Sequence, residues 1–424
     1  NTCPDDNCPL IYNPGQVDGN SNGIGDACDW PNGVPQIDTI FSDCLGLVLR
    51  PDGNFGNSGQ SGVSMDFLSS GDCDGSATIY IYDGSPLLSW DDGGTKKVAF
   101  NMYNTLYNKS VSTGNSWEAT TVTSDFERYR TGTFVTSDSS LGMDKTWWAP
   151  RSVSTDCNFV VQCLRVYSFD GETHTGVAVG EGIDWDIPSD DVTANVGGFS
   201  VLHNIIYLQG TEYNGSGCQP NDTRFGGQGL LGIGVGSSLC AIDAAAEPHG
   251  AYTADNATYL YASNGFDADE LYPMIRASGF SAYPAWTDQH TVMSFLSDQT
   301  IVAGDTVFIY TALATIESGT VTDLENACMA ARSWFTSVVL PSEGCDMGCC
   351  VGSTGNINCD PADGVDISDL TTLVNHLFVT FEDLCCPEEA NVNGDPAGGI
   401  DISDLTRLVN HLFVTFESLA PCAK

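Results

Sequence analysis

Residues 157–187 read CNFVVQCLRVYSFDGETHTGVAVGEGIDWDI. Two runs rich in β-branched and aromatic residues are joined through Asp170-Gly171, which is the pattern of strands broken by a turn. The same style extends in both directions. Upstream, SATIYIY (76–82) and KKVAFNMYN (96–104) bracket SPLLSWDDGG, whose Asp-Asp-Gly-Gly is hairpin punctuation. WEATTVT (117–123), GTFVTS (132–137), FSVLHNIIYLQGTEY (199–213), GLLGIGV (229–235) and DTVFIYTALATI (305–316) continue it. Strands every 10 to 15 residues without intervening helices predict a mainly β fold, a large β-sandwich body over residues 31–340. Near 300 residues is large for one sandwich, so a single wide sandwich or two stacked ones are the alternatives. The body closes on one terminal helix, TDLENACMAARSWF (322–335), with Thr322 and Glu325 as a capping box. Leu324, Cys328, Ala331 and Phe335 form its inner face.

Composition narrows the function classes. Of 424 residues, 55 are acidic and 14 basic, a formal net charge of −41. That argues against nucleic acid or an anionic membrane surface as partner. No run of 18 apolar residues exists, so no membrane-inserted helix is expected. Seventeen cysteines, densest toward the ends, point to disulfides and an extracellular or cell-surface location. The count is odd, so at least one thiol is free or paired between chains. Zinc is the competing explanation, but Cys345, Cys349-Cys350 and Cys385-Cys386 lack partner histidines or CxxC spacing. The opening Asn1-Thr2-Cys3 reads as a processed, secreted product.

The last 70 residues hold a 35-residue unit twice, identical at 23 of 35 positions. Each copy sets oxygen-bearing side chains at alternate positions: Asn356, Asn358 and Asp360, then Asn391, Asn393 and Asp395. Two further acids stand at each helix entrance, Asp366 with Asp369 and Asp401 with Asp404. Such a set of hard oxygen donors suits calcium better than magnesium, which demands stricter geometry. The alternative is a pair of acidic helix caps without metal. Leu370, Leu373, Val374, Leu377, Phe378 and Phe381 then fall on one predicted helical stripe. Residues 355–424 thus resemble a type I dockerin, the module that plugs into cohesin β-sandwiches. That resemblance implies partner-recognition residues at Ile367-Ser368 and Ile402-Ser403. Asparagine stands where the family has its first aspartate, Cys359 replaces a loop glycine, and two extra residues occur around Pro361-Ala362 and Pro396-Ala397.

Residues 1–30 carry a second calcium signature. Asp18, Asn20, Asn22, the Ile24 carbonyl, Asp26 and Asp29 occupy positions 1, 3, 5, 7, 9 and 12 of a twelve-residue loop, with Gly23 at the sharp turn. With its DNCP approach and GDACD ending, the segment resembles a thrombospondin type 3 repeat, which implies calcium and a Cys8–Cys28 staple, with Cys3 as a further candidate. About three calcium ions are expected in all. Residues 304–335, like the DWDI segment, resemble uncharacterised secreted bacterial proteins that end in dockerin-like repeats, which implies a bacterial cell-surface setting and brings no activity. Residues 341–354 read as a cysteine-bearing linker fixing the terminal module to the body.

The best catalytic candidate is EGIDWDIPSDD, with Glu181, Asp184, Asp186, Asp190 and Asp191. Asp184 and Asp186 share a strand face about 7 Å apart, a spacing open to glycoside hydrolysis. A surface loop or extra calcium site is the favoured reading over catalysis in a chain this acidic, and Asp186→Ala is expected to leave stability and assembly nearly unchanged. Trp185 could stack on sugar, though a strand tryptophan is more often core. His174, His203, His249, His290, His376 and His411 show no HExxH or nucleophile-partner pattern. Sequons at Asn108, Asn214, Asn221 and Asn256 match the number expected by chance. The expectation is therefore a non-enzymatic, calcium-binding structural protein that joins head to tail with itself or a cohesin-like β-sandwich. The alternative is a carbohydrate-active or carbohydrate-binding component docked on a scaffold, with polysaccharide as partner.

Overall fold

The computed structural model describes residues 38–56, 64–67, 80–100, 111–112, 117–151, 157–189, 192–210, 224–259, 268–345, 354–360, 364–381, 384–395 and 399–419. The calcium loop read at Asp18 to Asp29, the Pro361-Ala362 and Pro396-Ala397 insertions, and Asp190 and Asp191 lie outside these residues. The chain divides into two compact units at Arg332/Ser333.

The first unit is mainly β. Its larger sheet runs in the order Asn195–Ser200, Ile205–Gly210, Phe225–Gly236, Thr306–Ile316, Phe159–Ser168, Leu141–Pro150, Phe126–Thr131 and Trp117–Val122, each pair antiparallel. A second sheet orders Gly279–Ser281, Gly250–Asp255, Gln289–Ile301, His174–Trp185, Ile81–Asp92 and Thr95–Phe100. The hairpin Asp38–Phe41, Leu45–Leu49 is extended by Ser64–Phe67. Two apolar clusters take residues from both large sheets, so this is one wide sandwich. SPLLSW is strand rather than turn, since Ile81–Asp92 pairs with Thr95–Phe100 around Gly93-Gly94 alone, both at positive φ. Two short helices, Asn256–Tyr259 and Ala268–Met274, interrupt the all-β run.

Alternation sorts the inward residues into three levels. Leu141, Met143, Leu164, Val166, Val177, Val179, Leu230 and Ile309 belong to one cluster, and Trp147, Ala149, Val160, Ile183, Trp185 and Leu313 to the other. Between them, on the same faces of five strands, stand Lys145, Gln162, Glu181, Gln228 and Thr311, all buried. A polar layer therefore crosses the sandwich at mid-height.

Helix Val321–Trp334 lies on the outer face of strand Phe225–Gly236, where Gly227 leaves room for it. A Cβ there would meet Leu324 Cδ2 at 2.9 Å. Arg332 fastens the helix by donating to the carbonyls of Leu230, Leu231 and Ala244. Leu324, Cys328, Ala331 and Phe335 are buried, as their spacing predicts. The cap differs: Thr320 N–H and hydroxyl donate to Asp323 at 2.7 and 2.8 Å, while Glu325 accepts from Ser200. Helix entry is thus two residues upstream of the predicted box.

Cys44 and Cys157 are joined, closing the first hairpin onto the start of Phe159–Ser168. In the second unit Cys359 bonds Cys385, a bridge within the duplicated module, while Cys349 and Cys350 of the predicted linker lie outside the described residues. Cys240, Cys345 and Cys386 are also disulfide-bonded. Cys328 is a buried free thiol, and burial pushes it up to about 12. No helix among the described residues is long and apolar enough to cross a membrane.

Asp38 opens the first hairpin, and burial pushes its carboxyl up to about 6 although Thr39 N–H donates to it at 2.8 Å. A folded value above the unfolded one means that the stability it contributes is complete below pH ~4 and lost as pH rises through ~6. Asp38→Asn, which keeps the acceptor oxygen, should stabilise the sandwich at pH 7.5 by on the order of 2 kcal/mol and have little effect at pH 4. Urea midpoints at the two pH values check this.

Candidate functional site

The second unit repeats one loop-and-helix course. Asn356 Oδ1 and Asn358 Oδ1 both accept from Asp360 N–H, at 3.1 and 2.9 Å, and Asn356 Nδ2 donates to the Asp360 carbonyl at 3.0 Å. Asp369, fully buried, accepts from Asn358 N–H at 3.0 Å and from Asp366 N–H at 2.8 Å. The second copy matches: Asn391 and Asn393 accept from Asp395 N–H at 3.2 and 2.7 Å, and Asp404 accepts from Asn393 and Asp401 N–H groups at 3.2 and 3.0 Å. The alternate side chains named from sequence thus close onto one turn in each copy.

Asp366 and Asp401 have a different principal task. Each is the N-cap of its helix, Ile367–Val374 or Ile402–Val409, accepting from the backbone N–H and hydroxyl of Ser368 or Ser403 at 2.6 to 2.7 Å. Those serine hydrogen bonds hold both exposed carboxyls below the usual range. In the first loop Asp360 Oδ1 is buried with no hydrogen-bond partner. A carboxylate oxygen in that position needs a proton or a cation, and the two asparagine oxygens at the same turn are hard donors of the kind calcium takes, although Asp360, Asp366 and Asp369 do not form a three-carboxylate cluster among the described residues.

The helical stripe is only partly buried. Leu373 and Leu408 join Ile357, Ala390 and Val392 in a small core, with Leu370 and Leu377 packed against it. After Val374 and Val409 the helices widen into π turns, Asn375–Val379 and Asn410–Val414. Phe378 and Phe381, predicted in the stripe, are instead 53% and 70% exposed, and Phe413 and Phe416 in the second copy 54% and 72%. Ile367 and Ile402 are 64% and 65% exposed, as the dockerin resemblance implies for recognition positions. Each copy therefore presents the same apolar set at its surface.

In the body, the acidic stretch is split by strand alternation. Glu181 faces the core polar layer, while Asp184 and Asp186 lie near Asp288 with their oxygens within 4.8 Å of one another. The surface reading of this stretch is corrected: Asp184 and Asp186 are buried, and Asp186→Ala would not be silent. Trp185 is fully buried and donates to Thr291 Oγ1 at 3.0 Å, so it is core and offers no sugar platform. Asn256, which sequence reading treats only as a sequon, is buried and donates to Asp184 at 2.6 Å and Asp288 at 2.7 Å, and so is closed to glycan. Its Oδ1 meets His290 Nδ1 at 2.6 Å. Burial pushes His290 down to about 3, so it brings no positive charge. Charges on Asp186, Asp184 and Asp83 add to burial in raising the Tyr82 phenol. Three carboxylates this close require a shared proton or a cation among them. Asp288 and Asn256 were not legible from sequence, being contributed by segments about 100 and 70 residues away.

No family model and no curated protein matches the chain. Among solved structures, a bacterial glucoamylase complexed with acarbose aligns at a TM-score of 0.33 and 10% identity, over 91% of this chain and 52% of its own. Lysyl oxidase from Pichia pastoris aligns at 0.28 and 8%, over 66% and 50%. The chain spans about half the length of each, and likeness at these scores carries no argument about activity or substrate.

Proposed function

We propose that this chain is a non-enzymatic, extracellular calcium-binding structural subunit that assembles through its duplicated C-terminal module. The observation that carries the reading is the repeated exposed apolar set, Ile367, Phe378, Val379 and Phe381 in one copy and Ile402, Phe413, Val414 and Phe416 in the other. Eight exposed large apolar side chains on so small a unit mark an interaction surface. Calcium at Asp360/Asp369 and Asp395/Asp404 would fix the helices that display them. The partner is a β-sandwich, either the body of another copy, giving a head-to-tail filament or layer, or a separate cohesin-like receptor. Disulfides and the strong negative charge support an extracellular or cell-surface location.

Electron microscopy of the native protein with calcium and after chelation tests this. Ordered fibres or sheets that disperse on chelation are expected. A protein that stays monomeric in saturating calcium at high concentration overturns self-assembly. A second reading, a carbohydrate-binding component docked on a scaffold, is favoured by the exposed aromatics Phe280, Tyr283 and Trp286 near one sheet edge. Polysaccharide retention by dispersed particles is the result that would select it.

A further inference from the structure

The mid-height polar layer of the sandwich contains an amine and a carboxyl in contact, and neither takes part in the calcium or docking roles above. Lys145 Nζ, from strand Leu141–Pro150 of the larger sheet, contacts Glu181 Oε1, from strand His174–Trp185 of the facing sheet. Their side chains are 0% and 1% exposed. The ammonium lies 4.2 Å from the centre of the Phe55 ring and 5.3 Å from that of Trp147. Glu181 Oε2 accepts from Gln162 Nε2 and, at 2.5 Å, from Gln228 Nε2. Gln162 Nε2 also donates to Thr311 Oγ1 at 2.9 Å.

We propose that Lys145 and Glu181 condense into an intramolecular amide that ties the two sheets together covalently. Proton transfer from the ammonium to the carboxylate gives a neutral amine and acid, the forms that a dry, aromatic-walled site favours. Burial indeed lowers the Lys145 amine against the opposing pull of Glu181. Nζ then attacks Glu181 Cδ. The Cδ–Nζ bond forms and the Cδ–Oε1 bond breaks. Oε1 leaves as water with two of the three ammonium protons, and the third stays on the amide nitrogen. Charge is conserved, since one positive and one negative group become one neutral amide, and no oxidant or cofactor is needed. Gln162 and Gln228 act as positioning residues: their two N–H donors hold Oε2, where negative charge builds in the tetrahedral intermediate. Contact geometry supplies the effective concentration that a free amine and acid in water lack.

A separate observation fits the product. Gln162 Oε1 and Gln228 Oε1 are buried without a hydrogen-bond partner, on the two strands that flank Thr306–Ile316, Gln162 in register with Thr311 and Gln228 with Leu313. A buried amide oxygen without a donor is costly. The N–H of a new Lys145–Glu181 amide is a donor of the kind this layer lacks. The inference does not depend on the assembly reading, because the cross-link belongs to the body of each subunit.

The test is a tryptic map of the reduced and alkylated full-length protein. An acylated Lys145 resists trypsin, so the expected product is a branched peptide joining residues 131–151 to residues 166–224, lighter than the sum of the two by one water. Separate linear peptides of full mass, with cleavage after Lys145, overturn the proposal. A branched peptide joining Lys145 to residues 152–165 or 225–276 with loss of ammonia also overturns it, because a glutamine would then be the acyl donor. Lys145→Arg keeps the charge but removes the nucleophile and should give only linear peptides. Should that variant not fold, the wild-type map alone decides.

Discussion

Lys145→Met should lower the stability of the sandwich by about 3–5 kcal/mol, among the largest effects of any single change in this chain. Where the pair has condensed the variant removes a covalent tie between the sheets, and in either form Glu181 is left without its partner. Glu181, at 1% exposure, is left as a carboxyl in the centre of the body with only Gln162 and Gln228 beside it. Removing one partner of a buried pair costs more than removing both. Where the pair is ionic, the double variant Lys145→Met/Glu181→Gln should therefore recover all but about 1–2 kcal/mol, whereas a lost amide cross-link is not restored by it. A glutamine at 181 keeps an acceptor for the two existing donors, Gln162 Nε2 and Gln228 Nε2. Urea unfolding followed by tryptophan fluorescence reads the body, where Trp147, Trp148 and Trp185 are all buried. A midpoint for Lys145→Met within error of wild type would show that the layer contributes nothing, and an unrecovered double variant is the result expected of a lost covalent tie rather than of an unpaired charge.

That layer also shows what the sequence conceals. Strands such as Phe159–Ser168 and Thr306–Ile316 were legible because β-branched and aromatic runs have few other uses. Leu141–Pro150 was not, since LGMDKTWWAP places Asp144 and Lys145 at its middle and ends in proline, a mixture that reads as surface. Only Glu181, on a different sheet, makes Lys145 a core residue. Glu181 in turn was grouped with Asp184 and Asp186, although a period of two puts it on the opposite strand face from them. The pairing of Asp184 with Asp186 followed from that same period, while Asp288 completes the cluster through tertiary structure that no local pattern records. The duplicated loops were the most legible feature, because alternation, cap and repeat agree. The apolar stripe failed at its end for a local reason. A period of 3.6 was carried past Val374, where the backbone widens to a π turn and then reaches Phe381 at φ 57°, swinging the two phenylalanines outward.

Asp404→Ala is expected to remove one calcium ion and unfold the second loop-helix copy under conditions where the body is intact. Asp404 is fully buried and accepts from the Asn393 and Asp401 N–H groups, so the change removes the proposed metal ligand, a loop closure and half of a capping box together. Loss of the cap alone costs about 1 kcal/mol. A bound ion at 1,000 times its dissociation constant adds about 4 kcal/mol. Against these stands a core with five fully buried apolar side chains among the described residues, which leaves little in reserve. Asp369→Ala should do the same to the first copy, though the Cys359–Cys385 bridge keeps that loop closed and makes the loss smaller. Asp401→Asn, by contrast, preserves a competent N-cap and should keep the helix while weakening calcium binding modestly. Calorimetric titration gives the stoichiometry, and hydrogen exchange over residues 402–409 reports the helix. If Asp404→Ala binds as many ions as wild type, the carboxylate is a cap and not a ligand.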